Sequence, residues 1–112
     1  MAVTTFAAID IGSYEVSMKI FEMSKRISFR EINDVRYQLQ LGRGTYAAGR
    51  LEMEPVNELC EILNDFKRMM ADFGVESWRA CATSSLRELE NPTIILEQIY
   101  QRTGIRVEIL SN

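Results

Sequence analysis

The stretch AAIDIGSYEVSMKI, residues 7–20, joins two apolar runs through a Gly-Ser pair that follows an aspartate. Residues 3–11 form a nearly continuous apolar run, which predicts a central strand buried on both faces. From Tyr14 onward apolar and polar residues alternate up to a phase slip at Phe21, which predicts a half-buried strand. Because the connection is so short, the two strands should form an antiparallel hairpin.

A third strand and a long helix are predicted next. The strand should be interrupted at Asn33-Asp34 and should place six apolar side chains on one face: Ile27, Phe29, Val35, Tyr37, Leu39 and Leu41. Three glycines fall within residues 42–49, so this segment is predicted to be an exposed loop. Apolar residues then recur at helical spacing from Pro55 to Phe73, and this helix should cover one face of the sheet.

The last part of the chain predicts a strand, a helix and a strand. SWRACATSS, residues 77–85, is predicted as the fourth strand and IRVEIL, residues 105–110, as the fifth. Between them, Asn91 should cap a helix that opens at Pro92 and is closed by Gly104. The order βββαβαβ predicts a five-stranded mixed sheet in which the last two strands run parallel to the first.

Length and composition indicate one globular domain. The chain has 112 residues, of which 46% are hydrophobic and 26% are charged, and this length is typical of a single domain. A net charge of −3 argues against a general nucleic-acid or membrane-surface binder. The first residues lack the basic start of a secretory signal, and no apolar run approaches about 20 residues, the length of a membrane span.

The residue types restrict the possible chemistry. Cys60 and Cys81 lie in apolar surroundings without a CxxC spacing, so they are predicted to be reduced, buried residues of a cytoplasmic protein. Histidine is absent, which excludes Ser/His/Asp and Cys/His catalysis and leaves a zinc site without enough ligands. Walker-type and Rossmann-type glycine patterns are absent as well.

The turn DIGSYE, residues 10–15, is the first candidate for chemistry. A glycine turn presents backbone N–H groups to an anion, the Ser13 hydroxyl adds a donor, and Asp10 can hold magnesium through water. Gly12 would let a phosphate approach the backbone. The alternative is a plain hairpin with Asp10 and Ser13 present for their turn propensity. A carboxylate beside apolar strands is costly unless it is paired, which favours a ligand for Asp10.

The segment ATSSLRELEN, residues 82–91, is the second candidate. It follows the fourth strand, and ligands of open sheets with helical crossovers collect at the carboxyl ends of parallel strands. Thr83 and Ser84 are predicted to donate hydrogen bonds to a phosphate, and Arg87 to reach it. The alternative is an ordinary helix start with a surface arginine.

Four blocks, AAIDIGSYEVSMKIFEM, LGRGTYAAGRLEMEPVNE, ATSSLRELEN and IRVEILS, occur in the order and spacing of one known family. They resemble the N-terminal domain of the exopolyphosphatase/guanosine pentaphosphate phosphatase family. The resemblance implies an α/β fold of the ribonuclease-H-like type, as in the actin-like ATPase superfamily. Residues 1–112 would then be the N-terminal domain of a longer protein.

The resemblance also implies a phosphate site of six residues, with Asp10 holding a magnesium ion: Asp10, Gly12, Ser13, Thr83, Ser84 and Arg87. The family usually has Asn where this chain has Tyr14. The family's catalytic glutamate, which orients the attacking water, and its second phosphate loop come after the segment that corresponds to Ser111-Asn112.

The implied activity is release of terminal phosphate from polyphosphate or guanosine pentaphosphate, with no nucleic-acid or membrane partner and with the whole protein as a homodimer. Two alternatives share the first loop: an actin-like ATP-binding kinase or chaperone domain, and a non-catalytic phosphate-binding regulatory module. The segment 82–91 favours the hydrolase, and Tyr14 is the main support for the regulatory module.

The 112-residue chain on its own is expected to release no phosphate from polyphosphate in the presence of magnesium. The family's water-orienting base and half of its electrostatic clamp would be missing, which costs several orders of magnitude in rate. A colorimetric phosphate assay on the purified chain measures this. Robust magnesium-dependent release would contradict the assignment of roles.

Overall fold

The computed structural model describes residues 3–26, 28–39, 41, 53–87 and 92–110, without the side chains of residues 53, 54, 84 and 87. These residues form five strands and three helices: β1 (Thr4–Ile11), β2 (Glu15–Met23), β3 (Arg30–Gln38), α1 (Met53–Phe73), β4 (Ser77–Ala82), α2 (Ser84–Arg87), α3 (Pro92–Thr103) and β5 (Val107–Ile109). The predicted loop 42–49, together with Ile27 and Asn91, lies outside the described residues.

The strands form one mixed sheet in the order β3-β2-β1-β4-β5. β1 pairs antiparallel with β2, and β2 pairs antiparallel with β3. β1 and β4 are parallel, as are β4 and β5. The predicted hairpin, the mixed sheet and the direction of the last two strands are therefore confirmed.

The predicted interruption of the third strand is wrong. β3 runs continuously through Asn33 and Asp34. Its register against β2 shifts between Ile20 and Phe21, where Ile32 is the extra residue on β3. A bulge of this kind changes the alternation of a strand without ending it. Asn33 and Asp34 stay in the strand because they pair in register with Ile20 and Lys19 of β2.

The predicted ends of the last two strands also need correction. β4 stops at Ala82, and Ser84 and Ser85 begin α2 instead of continuing the strand. Serine hydroxyls hydrogen-bond to nearby backbone groups, which favours a chain reversal or helix start over an extended strand. β5 is limited to Val107–Ile109, three residues of the predicted six.

One hydrophobic core lies between the sheet and the two longer helices. α1 begins with Pro55 in its first turn, and Gly74 (φ 68°) and Gly104 (φ 74°) follow the ends of α1 and α3 in the left-handed conformation that glycine tolerates. The largest side chains of the core are fully buried: Phe66, Ile9, Ile11, Met18, Ile20, Leu41, Leu59, Leu63, Leu86, Ile99, Ile105 and Val16. No helix among the described residues is long and apolar enough to cross a membrane.

The prediction that β1 is buried on both faces is wrong. Its buried residues alternate with exposed ones, so Ala7, Ile9 and Ile11 face the core whereas Ala8 and Asp10 are exposed. Within the described residues, α1 and α3 belong to the same core cluster and therefore cover the same face of the sheet. We call the other face the open face. The Asp10 carboxylate is therefore solvated, and the prediction that it carries a desolvation cost is wrong.

Truncation of Phe66 should destabilise the protein by about 3–5 kcal/mol, because it removes a fully buried ring from the centre of α1. The ring also contacts Tyr37 of β3, with ring centroids 5.7 Å apart. Phe73→Ala, at an exposed position of the same helix, is the matched control and should cost less than about 1 kcal/mol. Urea unfolding measures both, and equal losses would refute this description of the core.

The two cysteines should differ in reactivity. Both are free, but Cys60 is buried in α1 whereas Cys81 on β4 is half-buried on the open face. Burial raises the pKa of the Cys60 thiol, so a thiol reagent should modify Cys81 rapidly and Cys60 only as the protein unfolds. The stability contributed by protonated Cys60 is complete below the pKa of the unfolded thiol and is lost as the pH rises through the higher folded pKa.

Single-cysteine variants, Cys60→Ser and Cys81→Ser, identify the two phases in a stopped-flow reaction with a chromogenic disulfide. A fast reaction that survives in Cys81→Ser would show that Cys60 is accessible and that α1 packs differently.

Candidate functional site

The turn between β1 and β2 is held by backbone hydrogen bonds on both sides. The Gly12 N–H donates to the Glu15 carbonyl at 2.9 Å, and the Leu39 N–H at the end of β3 donates to the Tyr14 carbonyl at 3.1 Å. A Cβ atom on Gly12 would lie 3.0 Å from the Glu15 carbonyl oxygen. A side chain at this position would need the turn to shift, so the turn favours glycine. The Gly12 N–H already donates to Glu15 and is not available to a ligand.

The Asp10 carboxylate is not part of this turn. Asp10 lies on the open face, opposite Ser17 of β2 and Cys81 of β4 in the strand register. Within the described part of the chain, no group donates a hydrogen bond to the Asp10 side chain. An aspartate selected for turn formation would bond to a backbone N–H of the turn, so this side chain serves no visible local structural purpose.

Asp10, Gly12 and Ser13 line a common open cleft of about 340 Å³. Side chains of β2 and β3 form the rest of its wall: Glu15, Ser17, Lys19 and Arg36. Tyr14 borders the cleft with an exposed side chain. The structure thus brings the three residues predicted from the first loop into one concave, strongly polar surface.

The carboxyl ends of β1 and β4 meet beside this turn. Ile11 pairs with Ala82, so Gly12 and Thr83 each follow the last paired residue of two neighbouring parallel strands. The buried Ser85 hydroxyl of α2 donates to the Ile11 carbonyl at 2.9 Å and fixes α2 against the end of β1. Thr83 is exposed there, whereas the Ser84 and Arg87 side chains lie outside the described part of the structure.

The two cations of the cleft, Lys19 and Arg36, form ion pairs with acidic side chains of β2 and β3. The Arg36 guanidinium contacts Asp34 at 3.2 Å and Glu15 at 3.3 Å, and Lys19 lies 3.6 Å from Glu31. The hydrogen bond from Arg36 lowers the pKa of Asp34, and the same contact raises the pKa of Arg36. The stability gained from Asp34 is present above its unfolded pKa and is lost as the pH falls through its lowered folded pKa.

Sequence reasoning missed four residues of this region: Ser17, Lys19, Arg36 and Ser85. The first three share the open face with Asp10, and the period of two on β2 already assigned Ser17 and Lys19 to the polar side. The alternation of Val35 and Tyr37 likewise placed Arg36 on the opposite face of β3, but the register that sets Arg36 opposite Ser17 cannot be read from the sequence. Nothing in the local sequence distinguishes Ser85 from Ser84.

Known proteins share both the sequence and the fold of this chain. The profile of the Ppx/GppA phosphatase family matches residues 20–112. Exopolyphosphatase 2 of Mycobacterium tuberculosis is 30% identical over 94 residues, covering 81% of this chain and 30% of that protein. The guanosine-5'-triphosphate,3'-diphosphate pyrophosphatase of Vibrio parahaemolyticus is 26% identical over 106 residues, covering 95% of this chain and 21% of that protein.

The fold is also similar to that of solved Ppx/GppA proteins. A crystal structure of the Aquifex aeolicus member of the Ppx/GppA family superposes with a TM-score of 0.91 and 29% identity, over 98% of this chain and 36% of that chain. The chain thus spans about 30% of the length of curated exopolyphosphatases that it matches. The sheet order, the ribonuclease-H-like arrangement and both sequence comparisons agree: the chain belongs to the Ppx/GppA phosphatase family.

Proposed function

We propose that this chain provides one phosphate-binding half of a hydrolase that releases terminal phosphate from polyphosphate or guanosine pentaphosphate. Family membership supports this, since similar proteins are named exopolyphosphatases and a guanosine-5'-triphosphate,3'-diphosphate pyrophosphatase. The position of the cleft supports it as well, because ligands of such sheets collect at the carboxyl ends of parallel strands. A phosphatase family also favours the hydrolase over the kinase or chaperone alternative.

The observation that carries the proposal is the state of Asp10. Its carboxylate is exposed in the cleft, and no described residue uses it, while the turn is closed by backbone groups. An exposed carboxylate that its own turn does not use is available to a ligand in the cleft.

The proposed ligand of Asp10 is a magnesium ion that arrives with the substrate. Among the described residues, no three His, Cys, Asp or Glu side chains cluster closely enough to hold a metal alone. Magnesium usually takes one or two protein carboxylates and completes its shell with phosphate oxygens and water, so one exposed aspartate beside a phosphate site fits it. Bound there, the ion would neutralise charge on the transferred phosphoryl group.

The other residues of the site would position the substrate. Thr83 would donate its hydroxyl to a phosphate oxygen from the end of β4, and Ser85 would hold that end against β1. Ser13, Ser84 and Arg87 remain predicted phosphate ligands, and Gly12 acts by keeping the turn narrow. The proposal extends to a cytoplasmic location, which the two free cysteines support, and to a homodimer of the whole protein without a nucleic-acid partner.

Asp10→Asn should weaken magnesium-dependent binding of tripolyphosphate about tenfold, because it removes the negative charge that holds the ion. The melting temperature should stay unchanged, since the carboxylate supports no described contact. In an enzyme containing this sequence, the same change should slow phosphate release at least about tenfold. Titration calorimetry and thermal unfolding measure the first two effects.

Asp72→Asn is the matched control, because Asp72 is an exposed aspartate on α1, away from the cleft. It should leave binding and melting temperature as they are. If Asp10→Asn unfolds the protein, Asp10 has a structural role. If the variant binds magnesium and tripolyphosphate as the unsubstituted chain does, Asp10 does not hold the ion. Either result refutes the proposal.

A further inference from the structure

Two cations on β2 and β3 face the same cleft as Asp10 and have no role in the function proposed above. We propose that Arg36, with Lys19 as a second cation, binds the phosphoryl groups adjacent to the one held at the turn. The site then selects linear triphosphates and longer phosphoanhydride chains over orthophosphate. This inference rests on the proposed function, because it assumes that the end of the chain lies at the turn.

The strand register places these groups in a line across the open face. Asp10 pairs with Ser17, and Ser17 pairs with Arg36 on the next strand. Neighbouring strands lie about 4.8 Å apart, so the backbone of Arg36 is about 10 Å from that of Asp10. Ser17 is the only side chain between them in this row, and it is too small to block the path. The adjacent row carries Lys19 next to Ala8.

Arg36 is held loosely enough to change partners. Arg36 donates to both carboxylate oxygens of Asp34 and to Glu15, but all three bonds are 3.2–3.3 Å long, whereas charge-assisted N–H···O bonds are usually about 2.7–2.9 Å. Its side chain is 57% exposed, and ion pairs this exposed contribute little to stability. Lys19 lies 3.6 Å from Glu31, beyond a good hydrogen bond. Both cations are therefore available to a stronger acceptor.

A phosphoanhydride chain is such an acceptor. The planar guanidinium of Arg36 donates two parallel hydrogen bonds, which matches two oxygens of one phosphoryl group. A phosphate chain that extends from the turn along the row Asp10–Ser17–Arg36 brings negative charge to β3, whereas orthophosphate bound at the turn does not reach Arg36. Glu15 and Asp34 oppose an anion, and the positive charge of magnesium accompanying the substrate offsets them. Arg36 then discriminates by chain length.

The test compares orthophosphate and tripolyphosphate binding to the 112-residue protein with magnesium, by calorimetry or chemical-shift titration. Arg36→Gln should weaken tripolyphosphate binding about tenfold and leave orthophosphate binding unchanged, while Arg36→Lys should restore part of the loss. Arg79→Gln is the control: Arg79 lies on the open face at β4, paired with Glu108 and outside the cleft. It should bind both ligands as the unsubstituted chain does.

A variant of the turn separates the role of Arg36 from the proposed phosphate-binding function of the turn. Gly12→Ala should weaken both ligands, because its Cβ would crowd the Glu15 carbonyl and distort the turn. If Gly12→Ala loses affinity but Arg36→Gln keeps the full preference for tripolyphosphate, the role of Arg36 is overturned and the proposed function stands. If the unsubstituted chain binds neither ligand, both are overturned.

Two natural sources contain such a chain, namely inorganic polyphosphate and a nucleoside triphosphate. Guanosine 5'-triphosphate is therefore titrated in parallel with tripolyphosphate and with a longer polyphosphate. Sensitivity of all three to Arg36→Gln supports the inference, and the order of their affinities identifies the source. Insensitivity of all three refutes it.

Discussion

The rest of the structure depends on the pairing of β1 with a different partner on each side. Along one edge it pairs antiparallel with β2 through a tight turn, and along the other it pairs parallel with β4. Parallel pairing requires a crossover, and α1 lies in that connection and covers one face of the sheet. The same pairing brings the β1–β2 turn beside the carboxyl end of β4. The central position of β1, an eight-residue strand, thus determines both the sheet order and the location of the cleft.

Much of this architecture was predictable because the spacing of apolar residues along the sequence indicates each strand and helix. The alternation that starts at Glu15, the helical spacing of α1 and the glycines at 74 and 104 gave the elements and their order. The prediction of β3 failed because pairing with a neighbouring strand determined the structure there, and not the local sequence pattern. Asn33 and Asp34 stay in β3 because pairing with β2 persists across a bulge, and no property of the two residues alone reveals that partner.

In the candidate site, too, some residues could be predicted from the local sequence and others depend on the pairing of strands. Asp10, Gly12 and Ser13 were accessible to prediction because a turn concentrates them in a few positions. Arg36 was not, because it comes from a strand whose register against β2 had to be known first. The predicted desolvation penalty of Asp10 was wrong, because the side chain is exposed. The turn makes its hydrogen bonds without Asp10, which leaves the carboxylate available to a ligand.

The outermost position of β3 has a consequence for the behaviour of the protein in solution. Within the described residues β3 pairs with β2 alone, so the backbone groups along its other side form a template for strands of other molecules. The charged residues of β3, among them Glu31, Asp34 and Arg36, are the type of residue that discourages such pairing. Arg36, the residue proposed to bind a phosphate chain, would thereby also help to protect the sheet from edge-to-edge aggregation. Selection for solubility would then preserve Arg36 even in a relative that has lost its substrate.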